Sequence, residues 1–324
     1  MFINESAAMF IVQGFNMYRY DHTNSFKEKW LIFVIALVIV LTFGVEAKAL
    51  QSLQTGYVKV LFDTSLKSAA EETLHLYPQT KEDIESLFNW KLRTRPSVLL
   101  VKTREYFQKM AGDALVVAFA VPEKNLIVID YSKMIKHPFS LETTLKHELA
   151  HLLLHQHVNE DILPRWLVEG LCQWASGGIG EIIKDPKSSL LNRAAFSRKF
   201  IRLDELQREF PFDKRDRLLA YEESKSFITY LAGRFGKEII LQVLYHMKNG
   251  KTAEASMQTA SAIPFADLEK QWHHFLRKKI TWFTFLSYYL YEILFTLMAF
   301  TTVVAFIRQR IKKKRYVDDE PEDV

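Results

Sequence analysis

Residues 146–157 read KHELAHLLLHQH and hold four of the chain's ten histidines. His147 and His151 stand four positions apart, which on a helix separates them by about 40° around the axis, so both imidazoles can face one ion. Glu148 follows His147 directly, close enough to act on an ion-bound water without being a ligand. Neutral imidazoles suit Zn2+, and water bound to zinc loses its proton near neutral pH, which is the chemistry of hydrolysis. Chance alone produces an HExxH in a chain of this composition at a level on the order of a few per cent, so the pair needs a third ligand to carry weight.

Two residues compete for that place. His157 completes the spacing HExxHxxGxxH, but Leu154 stands where that pattern has glycine. The glycine lets the chain leave the helix sharply, whereas leucine continues it and carries His157 away from the His147/His151 face. Glu169 lies in RWLVEGLCQW, on the helix expected to begin near Pro164. Gly170 beside it permits two helices to approach closely. A carboxylate from an adjacent helix completes a His2Glu site with a fourth position open to water, and Glu169 is the better candidate. The other groups have plainer readings. His155 is a solvated histidine near the helix end, Cys172 a buried apolar group, and Asp204 and Glu205 an ordinary helix start. His273 and His274 belong to a Trp- and Lys-containing helix with an interfacial role.

Alternation in YVKVLFD from Tyr57, the run SVLLVKT after Arg95-Pro96, and ALVVAFA (114–120) and NLIVID (125–130) around VPEK predict strands, the last two as a hairpin with Pro122 in its turn. Leu66–Trp90 predicts a helix broken or kinked at Pro78. After Leu141 helical periods dominate, at 141–157, 164–176, 217–235, 237–248 and 265–278, with a flexible Gly177-Gly178-Ile179-Gly180 loop. The fold class expected is α+β: a small mixed sheet followed by a helical half that carries the metal site.

HELAH, with WLVEG placing Glu169 eighteen residues beyond His151, resembles the gluzincin metallopeptidases, specifically their peptidase MA-like domains. The resemblance extends through VAFAVPEKNLIVID, AYEESKSFITYLAGRFGKEII, YHMKNGKTAEASMQTA and DLEKQWHHF, most of Tyr57–Phe275. It implies metal ligands His147, His151 and Glu169, a Zn2+ cofactor, and Glu148 as catalytic base. It implies also that NLIVID borders the cleft and pairs with an extended peptide. Tyr221 falls where the family has a recurrent aromatic hydroxyl; it is a candidate to stabilise an oxyanion, and equally a packing residue.

Two apolar runs flank this region. Trp30–Val45, with Lys27 and Lys29 before it and Ala47-Lys48-Ala49 after it, fits a secretory signal or an uncleaved anchor. Tyr288–Ile307 is long enough to cross a bilayer, for which about 20 residues are needed. Tyr288, Tyr289 and Tyr291 suit one interface, where Glu292 is a solvated carboxylate, and six basic residues within 308–315 suit a cytoplasmic end. The organisation expected is therefore 1–49 as cytoplasmic N-region with signal or anchor and 50–279 as an extracytoplasmic domain. A juxtamembrane and transmembrane helix follows at 280–307, then a basic and acidic cytoplasmic tail at 308–324. The net charge of +5 owes part of its value to that tail, and no basic stripe interleaved with aromatics marks a nucleic-acid partner. One cysteine excludes an internal disulfide. The partners expected are a peptide or protein substrate and the lipid bilayer. The function expected is a membrane-tethered zinc metallopeptidase acting outside the cytoplasm; the alternative is a catalytically inactive, peptidase-like scaffold of the cell envelope. Glu148 separates them, since a purely structural zinc needs no general base.

Overall fold

The structure is a computed structural model of the full chain, and it describes residues 3–4, 49–135, 138–177, 190–279 and 289–318. The signal or anchor at Trp30–Val45, residues 178–180 of the glycine loop and the end of the acidic tail lie outside the described residues.

Six strands form one mixed sheet: β1 (Ile3–Asn4), β2 (Ala49–Gln54), β3 (Lys59–Phe62), β4 (Ser97–Val101), β5 (Ala118–Val121) and β6 (Leu126–Asp130), in the spatial order β1-β2-β3-β4-β6-β5. β3, β4 and β6 run parallel, while β2 and β5 pair antiparallel to their neighbours. A parallel step needs a crossover, and helix α1 (Lys67–Phe88) supplies it between β3 and β4. α1 runs through Pro78 without the expected break. Proline removes one backbone donor, and the helix continues at that cost because Tyr77 and Ile84 on either side of it are fully buried.

The two-residue period sorts the central strands between two apolar layers. Val98, Leu100, Ile127 and Ile129 face α1 and the helix α4 (Leu141–His157). Leu99, Val101 and Val128 face the opposite way, onto Phe107 and Met110 of α2 (Arg104–Ala111). Because both faces are covered, these strands read as unbroken apolar runs. β5 and β6 form the expected hairpin, turned at Pro122–Lys124 and closed by Asn125 at φ +48°. Asparagine tolerates that left-handed conformation better than most residues. The pairing corrects one expectation. NLIVID is an interior strand held on both sides, by β4 and β5, and AFAV of β5 is the edge. Strand length misled here, since ALVVAFA contributes only its last residues to the sheet.

A short helix α3 (Tyr131–Met134) follows β6, capped by Asp130, and then α4 begins. Ser140 caps α4, accepting the Thr143 N–H at 3.1 Å. Leu141, Leu145, Leu149 and Leu152, spaced by four, four and three, turn one face of α4 onto the sheet. The helical half continues with α5 (Arg165–Ser176), α6 (Leu190–Ser197), α7 (Lys214–Phe235), α8 (Glu238–Lys248), α9 (Ala253–Ser261), α10 (Phe265–Lys279) and α11 (Leu290–Asp318). Asp213 caps α7 by accepting two backbone N–H groups, and α5 ends on Gly177 at φ +71°, a conformation glycine adopts without strain.

The chain divides into two compact units. The first, Met1–Leu190 with Ile201–Glu269, contains the sheet and helices α1–α5 and α7–α9. The second, Leu191–Phe200 with Lys270–Val324, contains nearly all of α6, the C-terminal part of α10, and α11. In α11, Leu290–Lys312 is long and apolar enough to cross a membrane, with a mean hydropathy of 2.0 over its most apolar window. Glu292 lies exposed in its first turn.

Candidate metal centre

α4 places His147 and His151 on the face that turns away from the sheet, toward α5. α5 lies against α7 at Gly170, where a Cβ would stand 2.5 Å from the Ser224 carbonyl oxygen and 2.8 Å from Ile228 Cγ1. No side chain fits there, so the α5–α7 distance is set by a glycine, as the sequence led us to expect. Glu169, the residue before it, stands close to the histidines.

His147 Nε2 and His151 Nε2 stand 3.1 Å apart. Glu169 Oε2 lies 3.7 Å from His151 Nε2 and 3.9 Å from His147 Nε2. Tetrahedral zinc with ligand bonds of about 2.0–2.1 Å separates its ligand atoms by about 3.3–3.4 Å, so the triangle fits such an ion with shifts of a few tenths of an ångström. Among the described residues this is the one cluster of three or more His, Cys, Asp or Glu side chains with ligand atoms mutually close, all within 4.8 Å. The donor set, two imidazoles and a carboxylate, matches a catalytic rather than a closed structural zinc site.

Electrostatics prepare the same groups. Burial pushes the His147 imidazole down to about 4 and His151 to about 3, with Glu169 opposing the shift in both. Both rings are therefore neutral at pH 7, with a lone pair available to a cation. The Cys172 backbone interacts with the His147 ring from α5. Cys172 itself is fully buried, as expected. Glu148 is fully buried beside His147.

A cleft of about 600 Å³ opens from His151 and Glu169 along the start of α5. His155, Glu160, Arg165 and Glu254 are among its walls. His155 is thus a partly buried wall residue, not a solvated helix end; burial lowers its pKa, with Glu160 and Glu123 opposing. Residues 160–165 form another wall of the cleft, which no helical period reports. Arg165 was also missed. Its Nε stands 3.7 Å from Glu169 Oε1, and its guanidinium lies over the Phe210 ring at 5.2 Å. The i,i+4 spacing of Arg165 and Glu169 was the available signal.

His157 is held elsewhere. Its ring stacks on Trp90 at 4.7 Å and 13°, and Nε2 lies 2.8 Å from the Lys91 carbonyl oxygen. α4 continues through Leu154 to His157, so the ring turns to the 90–93 loop. Tyr221 is buried on α7, its ring edge-on to Phe210 at 4.8 Å. His273 stacks face to face on Phe200 at 4.1 Å within the second unit. Asp204 and Glu205 open a 3-10 turn at Leu203–Leu206, where Asp204 pairs with Arg202.

A family model for the Peptidase MA superfamily matches residues 106–278, just over half of the chain and the segment that holds every residue of the metal group. Among solved structures, the chain is similar to the M1 zinc metallopeptidase of Deinococcus radiodurans, with 13% identity, a TM-score of 0.43, and coverage of 69% of this chain and 50% of that one. It is similar also to a mutant of that enzyme bound to a Tyr-Ser-Ala substrate, with 14% identity, a TM-score of 0.37, and coverage of 71% and 50%. The chain spans about half the length of these structures. No curated protein matches. The chain belongs to the Peptidase MA superfamily.

Proposed function

We propose that the chain is a membrane-tethered zinc metallopeptidase that hydrolyses peptide bonds outside the cytoplasm. The observation that carries this reading is the convergence of His147, His151 and Glu169 at the head of an open cleft, with Glu148 on the same helix. His147, His151 and Glu169 would hold the ion. When bound, zinc supplies Lewis acidity to a carbonyl oxygen and draws the pKa of water toward neutrality.

The chain's own groups do the rest. Glu148 accepts the proton of the attacking water and passes it to the amine nitrogen as the C–N bond breaks. Arg165, beside Glu169 and stacked on Phe210, keeps that carboxylate oriented toward the imidazoles. β5 has no strand partner on its outer side among the described residues, so an extended substrate can add to it by backbone hydrogen bonds. Tyr221 is the candidate for stabilising negative charge on the carbonyl oxygen. Replacing it by phenylalanine keeps the ring on Phe210 and removes only the hydroxyl.

In this reading α11 is the tether, residues 1–49 carry a signal or anchor, 50–279 form the extracytoplasmic part and 308–324 the cytoplasmic tail. The test measures zinc content and cleavage of a peptide library by the purified full chain. Wild type should bind zinc stoichiometrically and cleave, Glu148→Gln should keep zinc and lose cleavage, and Glu169→Ala should lose both. Zinc-loaded wild type that cleaves nothing, and equals Glu148→Gln, would favour the inactive scaffold.

A further inference from the structure

Two segments of the second unit carry cations and no carboxylate, while Glu292 lies exposed in the first turn of α11. Leu191–Phe200 and Lys270–Lys279 together hold seven Lys and Arg residues and no Asp or Glu, in a chain whose 43 basic and 38 acidic residues nearly balance. Arg193, Arg198, Lys199, Lys270 and the basic triplet 277–279 are all exposed. Two large aromatics are exposed among them, Phe196 at 57% and Phe275 at 44%. The same two helices do have an inner face. Ala194, Ala195, Trp272 and Leu276 are buried, and Phe200 stacks on His273. The outward phenylalanines are thus additional to a packed interior.

This surface is continuous with the apolar helix of the same unit. Arg193 Nη2 donates to Tyr289 Oη at 3.2 Å, one residue before α11 begins, and Leu290–Lys312 of α11 is unburied along its apolar window. Exposed aromatics beside cations, at the mouth of an apolar span, meet two needs in one place. Their rings take the boundary of the acyl region, and the cations take phosphate oxygens. A free phosphate satisfies the cations alone.

We propose that α6 and the C-terminal turns of α10 form a collar that rests on the headgroups of an anionic phospholipid bilayer, the bilayer that α11 crosses. The proposal rests on the reading of α11 as a membrane span. Phe196 and Phe275 enter the interface, and the cations bind lipid phosphates at a range that salt screens, since the Debye length is about 10 Å at 0.1 M.

The test uses the full chain in nanodiscs of phosphatidylcholine, with or without phosphatidylglycerol, and an environment-sensitive fluorophore on one introduced cysteine; native Cys172 is buried. Met298→Cys reports the span against a nitroxide placed deep in the acyl chains, and Ser197→Cys the collar against a shallow nitroxide-lipid quencher. The expected result is quenching at 298 in both lipids. At 197 quenching should be at least about twofold stronger with phosphatidylglycerol, falling to the phosphatidylcholine level in high salt or after joint charge reversal of Arg193, Arg198 and Lys199 to Glu. Quenching at 298 without lipid-dependent quenching at 197 overturns the collar and leaves the span intact. Failure to quench at 298 overturns the span, and the collar with it.

Discussion

Gly170 is the position at which packing and the candidate metal site depend on the same atom. A methyl group there meets the Ser224 carbonyl oxygen at 2.5 Å and Ile228 Cγ1 at 2.8 Å. Ordinary contact needs about 3.4 Å, so α5 must withdraw from α7 by close to 1 Å, and the obstacle is backbone, which cannot rotate aside. Overpacking of this kind costs about 1–3 kcal/mol, against about 1 kcal/mol gained in helix propensity by Gly→Ala. Gly233, inside α7, supplies the control, because a Cβ there meets nothing within 4 Å. Gly233→Ala should stabilise the metal-free protein by up to about 1 kcal/mol. Gly170→Ala should destabilise it by up to about 2 kcal/mol, for a separation between the two of about 1–3 kcal/mol. Glu169 moves with Gly170, and a shift of that size on ligand distances of 3.7 and 3.9 Å opens the triangle. Zinc affinity should therefore fall by about tenfold or more in Gly170→Ala only. Denaturant unfolding of the apo chain and a chelator competition for zinc measure the two quantities. Equal stability for the two alanine variants, or an undiminished zinc affinity in Gly170→Ala, would refute the reasoning.

Other outcomes follow from single contacts. His157→Ala should cost about 1–2 kcal/mol, from its stack on Trp90 and its contact with the Lys91 carbonyl, and leave zinc stoichiometry unchanged; loss of zinc would restore His157 as a ligand. Arg104→Ala should cost about 3–5 kcal/mol, because it leaves the fully buried Asp130 carboxylate, 3.1 Å from Arg104 Nη1, without its cation; a thermal midpoint equal to wild type would show that pair to be dispensable. Burial pushes the Glu223 carboxyl up to about 9, opposed by the Ile201 N–H that it accepts at 3.2 Å. A pKa raised on folding contributes stability that is full below the unfolded value near 4.3 and is lost as pH rises toward about 9. Above about pH 7, where the buried histidines are neutral in both folded and unfolded chains, urea midpoints should thus fall toward pH 9 in wild type and fall less in Glu223→Gln. Parallel pH curves for the two proteins would count against a buried, protonated Glu223.

The pairing of His147 with His151 was legible because it is a matter of short-range geometry. The four-residue step from His147 to His151 decides their shared face on any helix, and Leu154 in place of glycine decides that the helix goes on to His157. The large helices were legible from their apolar period for the same reason, as was the hairpin turn at Pro122. Shorter elements left weaker traces. Arg104–Ala111 was passed over although Thr103 caps it and Gly112 ends it at φ +65°, because eight residues give hardly more than two turns of period. Alternation marks a strand without naming its neighbours, so it does not show that β5 lies outside NLIVID. Tertiary structure alone decided that Glu169 reaches the imidazoles, since that distance depends on how α5 packs against α4. It decided too that the 160–165 segment and His155 meet as walls of one cleft. The sequence alone determined which groups could bind an ion. The chain's long-range packing determined that they meet, because helix contacts are set by pairs of residues that lie far apart in sequence.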